Sequence, residues 1–393
     1  MKAKESVGIL IHSVADEGMV GGVERFFIKF YNWASENKPE ARIVLITNKQ
    51  AFSNLQYLVK VPNIDQVIFL PVLSNRFKNV VESFVLLVYC ILNRIKVIQI
   101  ANFDKHSDAL FFIFKYKLIR MIANVKLIAT VVDCEIPYAF TLKSNKKHKS
   151  YLDRYSLLFN NSYLDAVITW YSEFQDWVFK SKMFIRDVEV FQIRTRFTIP
   201  VLPIVPFKEK ENIIIWAGRL VEQKRPFLFL EAIKRIKRIN PLLLTNWKVR
   251  MIGFGELKEQ IIDFVAANDL TATIALPESI HLDNEFQKSK LFVSTQAFEN
   301  YPSQTMNEAM IYGNALVAFN LGDTKLFLND GVNGVFSEGE SVESLADAIT
   351  IYLNDVDKER SYDESLRLCK EVHNPMNFHQ SISKIWTDVE NKN

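Results

Sequence analysis

NIIIWAGRLVEQKRPFLFLEAIKRIKRI, Asn212–Ile239, reads as a buried strand, a short basic turn and an amphipathic helix. The strand portion is continuously apolar, without the alternation of a half-exposed sheet. That pattern suits a parallel strand covered on both faces. Pro226 sits where a proline fits best, in the first turn of a helix. The same alternation continues outward. WKVRMIG (Trp247–Gly253), TATIAL (Thr271–Leu276), KLFVST (Lys290–Thr295), ALVAF (Ala315–Phe319) and GVF (Gly334–Phe336) read as strands, with helical stretches such as ELKEQIIDFVAAN (Glu256–Asn268) between them. Toward the N-terminus, VGILIH (Val7–His12), ARIVLIT (Ala41–Thr47), KVIQI (Lys96–Ile100), VKLIATVV (Val125–Val132) and DAVIT (Asp165–Thr169) form a second series, with VERFFIKFYNWASEN (Val23–Asn37) as a helix. Repeated strand–helix–strand units predict two doubly wound α/β domains.

The two series are separated by RTRFTIPVLPIVPFKEKE, where Pro200, Pro203 and Pro206 interrupt any regular pattern between about Ile193 and Glu211. This reads as an interdomain linker, with domains at 1–200 and 207–375. The tail NPMNFHQSISKIWTDVEN reads as a final amphipathic helix.

A chain of 393 residues with 49% hydrophobic and 24% charged residues has enough apolar material for two cores and is not a disordered composition. A net charge of +3 is too small to signal nucleic acid binding. Cys90, Cys134 and Cys369 are widely spaced and odd in number, which reads as three buried thiols rather than a disulfide frame or zinc site. The apolar run near the N-terminus is too short for a signal peptide, and the longest, Phe84–Leu92, is too short to span a membrane. A cytoplasmic protein is expected, in contact at most with a membrane surface.

Four segments carry the chemistry. Arg219 and Lys224 lie in the turn that follows the strand ending at Gly218, and ligands of open α/β sheets bind beyond the carboxyl ends of strands. Two cations there suit a diphosphate whose charge grows as a leaving group departs; they also read as ordinary surface cations. In FENYPSQTMNEAMIYGNALVAF (Phe298–Phe319), a helix starting near Ser303 offers Ser303, Gln304 and Thr305 to an anion, and Glu308 follows about one turn later. A carboxylate at that place accepts two hydroxyl hydrogen bonds, as a ribose offers. A capped helix with one solvated glutamate explains the same residues. Gly22, paired with Gly21 before the first helix, and Gly253 and Gly255 in MIGFGELKEQI permit close approach of a ligand to the backbone. Plain turns account for them equally.

With these residues in this order, the chain resembles the group 1 family of retaining glycosyltransferases, glycosyltransferase family 4. GGVERF, GRLVEQKRP, GFGELKEQI, NYPSQTMNEAM and DGVNGVF follow the family's sequence of motifs, strongly from Ile213 to Phe336 and more weakly from Val7 to Phe30. The resemblance implies a GT-B fold, two facing Rossmann-like doubly wound parallel-sheet domains, with helix 376–393 packed back on the first. It implies that Arg219 and Lys224 hold the donor diphosphate and that Glu308 binds the nucleotide ribose. Glu299 then lies against the transferred sugar, and Gly22 belongs to a loop facing donor and acceptor. Leu276–Pro277 and Gly322–Thr324 fall where the family contacts base and sugar. Eight residues separate Glu299 from Glu308, one more than in the family's common motif, so Asn300 competes with Glu299 for the role. Many members carry a His before an Asp after a central strand of the first domain. Here Val132 stands in that place, Asp133 is kept, and His106 is a candidate substitute on the acceptor side, or a plain surface histidine.

The activity implied is transfer of a sugar from a nucleotide diphosphate sugar to a glycan or lipid-linked glycan, with retention of configuration, no metal and no cofactor beyond the donor, in surface polysaccharide synthesis. A non-catalytic subunit of the same fold and another nucleotide-sugar enzyme, such as an epimerase or phosphorylase, are the competing readings. The basic run Lys143, Lys146, Lys147 and Lys149, and the mixed apolar and basic ALFFIFKYKLIRMIANVK, suit an anionic membrane surface. A core helix with a solvated charged loop also fits them.

Overall fold

A computed structural model of the chain describes residues 6–10, 22–38, 42–48, 52, 67–70, 78–101, 109–131, 163–172, 188–277, 281–296 and 303–392. The chain forms two compact units, residues 1–193 with 375–393, and residues 194–374.

In the first unit the strands are β1 (Ser6–Leu10), β2 (Arg42–Asn48), β3 (Val67–Leu70), β4 (Val97–Ile100), β5 (Lys126–Val131), β6 (Ala166–Thr169) and β7 (Glu189–Gln192). Among the described residues they build one parallel sheet in the order β3-β2-β1-β4-β5-β6-β7. Every residue of β1, β4 and β6 is buried, as expected of mainly apolar strands covered on both faces. The helices are α1 (Gly22–Asn37), α2 (Lys78–Leu92) and α3 (Ala109–Ala123). On one face, Leu86 and Cys90 of α2 and Tyr116 and Ile119 of α3 pack on Ile98, Ile100, Leu127 and Ala129. On the other, Phe26 and Phe30 of α1 each meet Phe378 edge to face at 4.9 Å. Phe378 belongs to the C-terminal helix, Pro375–Glu390. That helix is also fixed to the sheet by a polar bond: Trp386 Nε1 donates to Gln99 Oε1 at 2.7 Å, and Gln99 Nε2 donates to Thr130 Oγ1 at 2.9 Å. Both groups are buried, so the pairing removes the penalty of leaving them dry and unmatched.

In the second unit the strands are β8 (Ile213–Ala217), β9 (Lys248–Ile252), β10 (Ile274–Ala275), β11 (Leu291–Val293), β12 (Ala315–Phe319) and β13 (Gly334–Ser337). They form a parallel sheet in the order β10-β9-β8-β11-β12-β13. TATIAL contributes only the two residues of β10, on the sheet edge. The helices are α4 (Pro226–Ile239), α5 (Lys258–Ala267), α6 (Leu282–Lys288), α7 (Gln304–Met310), α8 (Val342–Asp355) and α9 (Lys358–Glu371). Helix α4 buries Phe229, Leu230, Ile233 and Ile236, the stripe its sequence spacing dictates, and Pro226 stands in its first turn.

The proline-rich stretch read as a linker lies, from Arg194 on, along the second unit. Proline removes amide donors and breaks the helix and strand pattern, but leaves carbonyls that side chains can bind. Gln287 Nε2 donates to the Pro203 carbonyl at 2.6 Å, and Tyr362 Oη to that of Val205 at 2.7 Å. The Val201 and Leu202 amides donate to Tyr312 Oη, which donates in turn to Asp283 Oδ1 at 2.6 Å. Cys90 and Cys369 are buried free thiols; Cys134 lies outside the described residues.

The last turn before the C-terminal helix buries His373. Its ring lies against Phe327 with centroids 4.3 Å apart, and Nε2 is 2.8 Å from the Leu326 carbonyl. Burial pushes its pKa down to about 4, against about 6.5 in an unfolded chain. Between those values the unfolded chain holds a proton that the folded one lacks. Stability is therefore fully present above about pH 6.5 and is lost as pH falls toward 4, by on the order of 3 kcal/mol. In urea titrations at pH 7 and 4.5, His373→Gln is expected to show a smaller loss on acidification than the wild type. Equal losses would show that this ring does not titrate in the unfolding equilibrium.

Candidate active site

The second sheet reverses its strand order between β8 and β11, which are paired neighbours with Leu291 opposite Ile214. From β8 the chain steps out to β9 and β10; from β11 it steps the other way to β12 and β13. At such a reversal the following loops diverge to opposite faces and open a crevice at the carboxyl ends of the strands. Arg219 and Lys224 stand in the turn after β8, and α7, with Glu308, follows β11.

A side-chain chain of bonds joins the two strand ends. Trp216, the last large residue of β8, donates its indole N–H to Thr295 Oγ1 at 2.8 Å. Thr295, just past β11, donates to the Lys224 carbonyl at 2.6 Å. The Lys224 ammonium donates to Gln296 Oε1 at 2.5 Å. Arg225 adds a second fastening. Its Nε and Nη2 donate to the carbonyls of Thr295 and Gln296 at 3.0 and 3.1 Å, and its Nη1 pairs with Glu340 at 2.7 Å. The guanidinium also lies 4.9 Å from the centre of the Phe319 ring. These bonds hold Arg225 in a left-handed conformation, φ +46°, from which α4 departs. Arg219 is exposed in the same turn.

Gly253 and Gly255 have a packing reason. A Cβ on Gly253 would stand 2.0 Å from the Gly218 carbonyl oxygen, and one on Gly255, where φ is +152°, 2.4 Å from that of Leu220. The loops after β8 and β9 thus touch backbone to backbone, joined by the Leu220 amide on the Phe254 carbonyl at 2.8 Å.

On α7, Ser303 is the N-cap and its hydroxyl accepts the Met306 amide at 3.3 Å. Gln304 bridges two charged groups: its Oε1 accepts from Arg196 Nε at 3.0 Å and its Nε2 donates to Glu308 Oε1 at 3.1 Å. Thr305 and Glu308 are half-buried. Thr324 is buried, with its hydroxyl on the Leu321 carbonyl at 2.6 Å, in a turn opened by Gly322 at φ +50°. Gly22 is the first residue of α1, in the first unit. Glu299, Asn300, His106 and Asp133 lie outside the described residues. No group of three or more His, Cys, Asp or Glu side chains able to hold a metal ion occurs among the described residues.

Sequence reasoning missed Trp216, Thr295, Gln296, Arg225 and Arg196. One signal was available: a tryptophan closing an otherwise aliphatic strand needs a partner for its N–H.

Two doubly wound parallel-sheet units make up the fold seen in GT-B glycosyltransferases. Residues 202–367 match the family model of glycosyl transferases group 1. Solved structures of similar fold include a glycosyltransferase from Rickettsia africae (TM-score 0.71, 14% identity, all of both chains covered). Another is Anabaena HepE in complex with UDP-glucose (TM-score 0.68, 14% identity, 98% of this chain and 99% of that one). A third is the lipopolysaccharide outer core galactosyltransferase WaaB (TM-score 0.63, 13% identity, 97% and 99%). No curated protein matches the sequence.

Thr295→Val keeps the side-chain shape and removes both bonds of the hydroxyl, leaving the buried Trp216 N–H and the Lys224 carbonyl without it. The substitution is expected to lower the unfolding free energy by roughly 2–4 kcal/mol, measured by urea titration. An unchanged midpoint would mean that these bonds do not fasten the two strand ends.

Proposed function

We propose that the chain is a retaining, metal-independent glycosyltransferase that moves a sugar from a nucleotide diphosphate sugar to a glycan or lipid-linked glycan, in surface polysaccharide synthesis. The observation that carries this reading is the placement of Lys224. Its ammonium is held by Gln296 at the strand reversal, in the same turn as Arg219. The reading draws further support from relatives of the same fold solved with UDP-glucose and with UDP and α-GlcNAc-glycerol.

In the proposed reaction the acceptor hydroxyl oxygen bonds to the anomeric carbon from the face that the diphosphate leaves. The bond from that carbon to the diphosphate oxygen breaks, and the acceptor's proton ends on the departing diphosphate. Arg219 and Lys224 meet the charge that grows on the leaving group. Fixed cations do this well because they need no rearrangement at the moment of reaction. Glu308, oriented by Gln304 and Arg196, binds the ribose hydroxyls. Glu299 is assigned to the transferred sugar, Gly22 to the loop near donor and acceptor, and Asp133 and His106 to the acceptor side. The first unit takes the acceptor and the second the donor. No cofactor is required beyond the donor, and the enzyme works in the cytoplasm, in peripheral contact with the membrane that carries the acceptor.

A panel of nucleotide sugars ranked by thermal shift identifies the donor, since a ligand of the native state raises the melting point. With that donor, Lys224→Ala and Glu308→Ala are each expected to lower kcat/KM for transfer about a hundredfold or more, corresponding to on the order of 3 kcal/mol of barrier. Far-UV circular dichroism should be unchanged. Full activity in either variant overturns the site. A melting shift without transfer or donor hydrolysis in the wild type would identify a non-catalytic subunit.

A further inference from the structure

Helices α2 and α3 lie side by side on one face of the first sheet, sharing a core. Their outward faces are apolar. Phe84, Ile91 and Leu92 of α2, and Phe114, Met121 and Ile122 of α3, are each between 51% and 80% exposed. On α2 the buried residues Glu82, Ser83, Leu86, Leu87 and Cys90 share one side, and Phe84, Ile91 and Leu92 stand on the other. A helix that merely covers a sheet turns polar residues outward. An apolar face of this extent marks a surface that meets something other than water.

The charges of the two helices select what it meets. Their sequences, KNVVESFVLLVYCIL and ALFFIFKYKLIRMIA, hold a single carboxylate, Glu82. Glu82 is turned inward and paired with Lys115 at 3.0 Å, both side chains being buried. The one negative charge is therefore taken off the face and cancelled. Lys117 is exposed between Phe114 and Met121, and Arg94 and Lys96 are exposed just beyond the end of α2. Apolar side chains edged by cations fit the boundary of an anionic bilayer, where rings and aliphatic chains enter the acyl region and ammonium groups stay among the headgroups. A second copy of the chain fits less well, since a two-fold contact would set the same cations against one another.

We propose that the outer face of α2 and α3 docks the protein on an anionic lipid surface, through Phe84, Ile91, Leu92, Phe114, Met121 and Ile122 with Lys117 at the headgroups. The inference deepens the peripheral contact proposed above and names its surface and its lipid charge. No helix among the described residues is long and apolar enough to cross a membrane, so the contact is on the surface of the bilayer.

Flotation of the full chain with vesicles tests it. Vesicles of phosphatidylcholine with phosphatidylglycerol should carry the wild type at low salt and less of it at moderate salt, and pure phosphatidylcholine vesicles should carry little. Phe84→Ser/Leu92→Ser/Phe114→Ser/Met121→Ser should lower binding at least tenfold, and Lys117→Glu about fivefold or more. All are substitutions of exposed side chains, and circular dichroism should be unchanged. Lys224→Ala should float as the wild type does, so loss of transfer and loss of docking are read separately. The proposal is overturned if the wild type does not float with anionic vesicles or floats equally with neutral ones. It is also overturned if the four-residue variant floats undiminished, or if sedimentation shows instead a dimer that this variant abolishes.

Discussion

The turn after β8 depends on one buried contact, the indole N–H of Trp216 on the hydroxyl of Thr295. Both are almost fully buried, at 2% and 1% exposure. There, water does not compete for the donor, and an unmatched N–H carries its full desolvation penalty. The contact therefore resists opening, and it spans the place where the sheet reverses. Because the Thr295 hydroxyl donates in turn to the Lys224 carbonyl, the rigidity of the β8–β11 pair is handed to the turn after β8. In the reaction proposed above, a cation that meets a leaving group without rearranging needs this kind of backing.

The neighbouring loop is held by the opposite means, the absence of side chains. Gly253 leaves no room for a Cβ beside the Gly218 carbonyl, and Gly255 none beside that of Leu220. The turn after β8 is thus braced on one flank by the backbone after β9 and on the other by Thr295 and Gln296 after β11. On the β11 side, Arg196 reaches Gln304 from the stretch that precedes β8 in the chain. The orientation of Glu308 is in this way tied to the segment that opens the unit.

Much of the fold was legible in the sequence because its strands are buried on both faces. Runs such as Ile213–Ala217 and Ile43–Ile46 have no polar interruption, and only a parallel sheet with helices on both sides uses them well. The turn that carries Arg219 and Lys224 was legible because a strand and a helix with clear patterns flank it. The clamp behind it was not, since Trp216 and Thr295 are 79 positions apart and threonines at strand ends are common. Gly253 and Gly255 show why spacing alone does not assign a role: a glycine required by a ligand and one required by a neighbouring carbonyl leave the same mark. The prolines of 200–206 signal broken secondary structure, while the carbonyls that Tyr362 and Gln287 bind here have no local signature.

The two adjacent cations, Lys224 and Arg225, are held in different ways. Arg225 is matched to Glu340 and to two carbonyls, and its plane rests on Phe319. A planar group with five donors suits such multiple fastening, and its charge is largely answered by the carboxylate. Lys224 donates to an amide oxygen, that of Gln296. A flexible four-carbon stem tipped with a compact charge would lose much of its value if free to roam. The Gln296 contact restricts that freedom, and Arg225 holds the residue that makes it. Two neighbouring cations thus fasten the eight-residue turn Gly218–Arg225 to the residues just past β11.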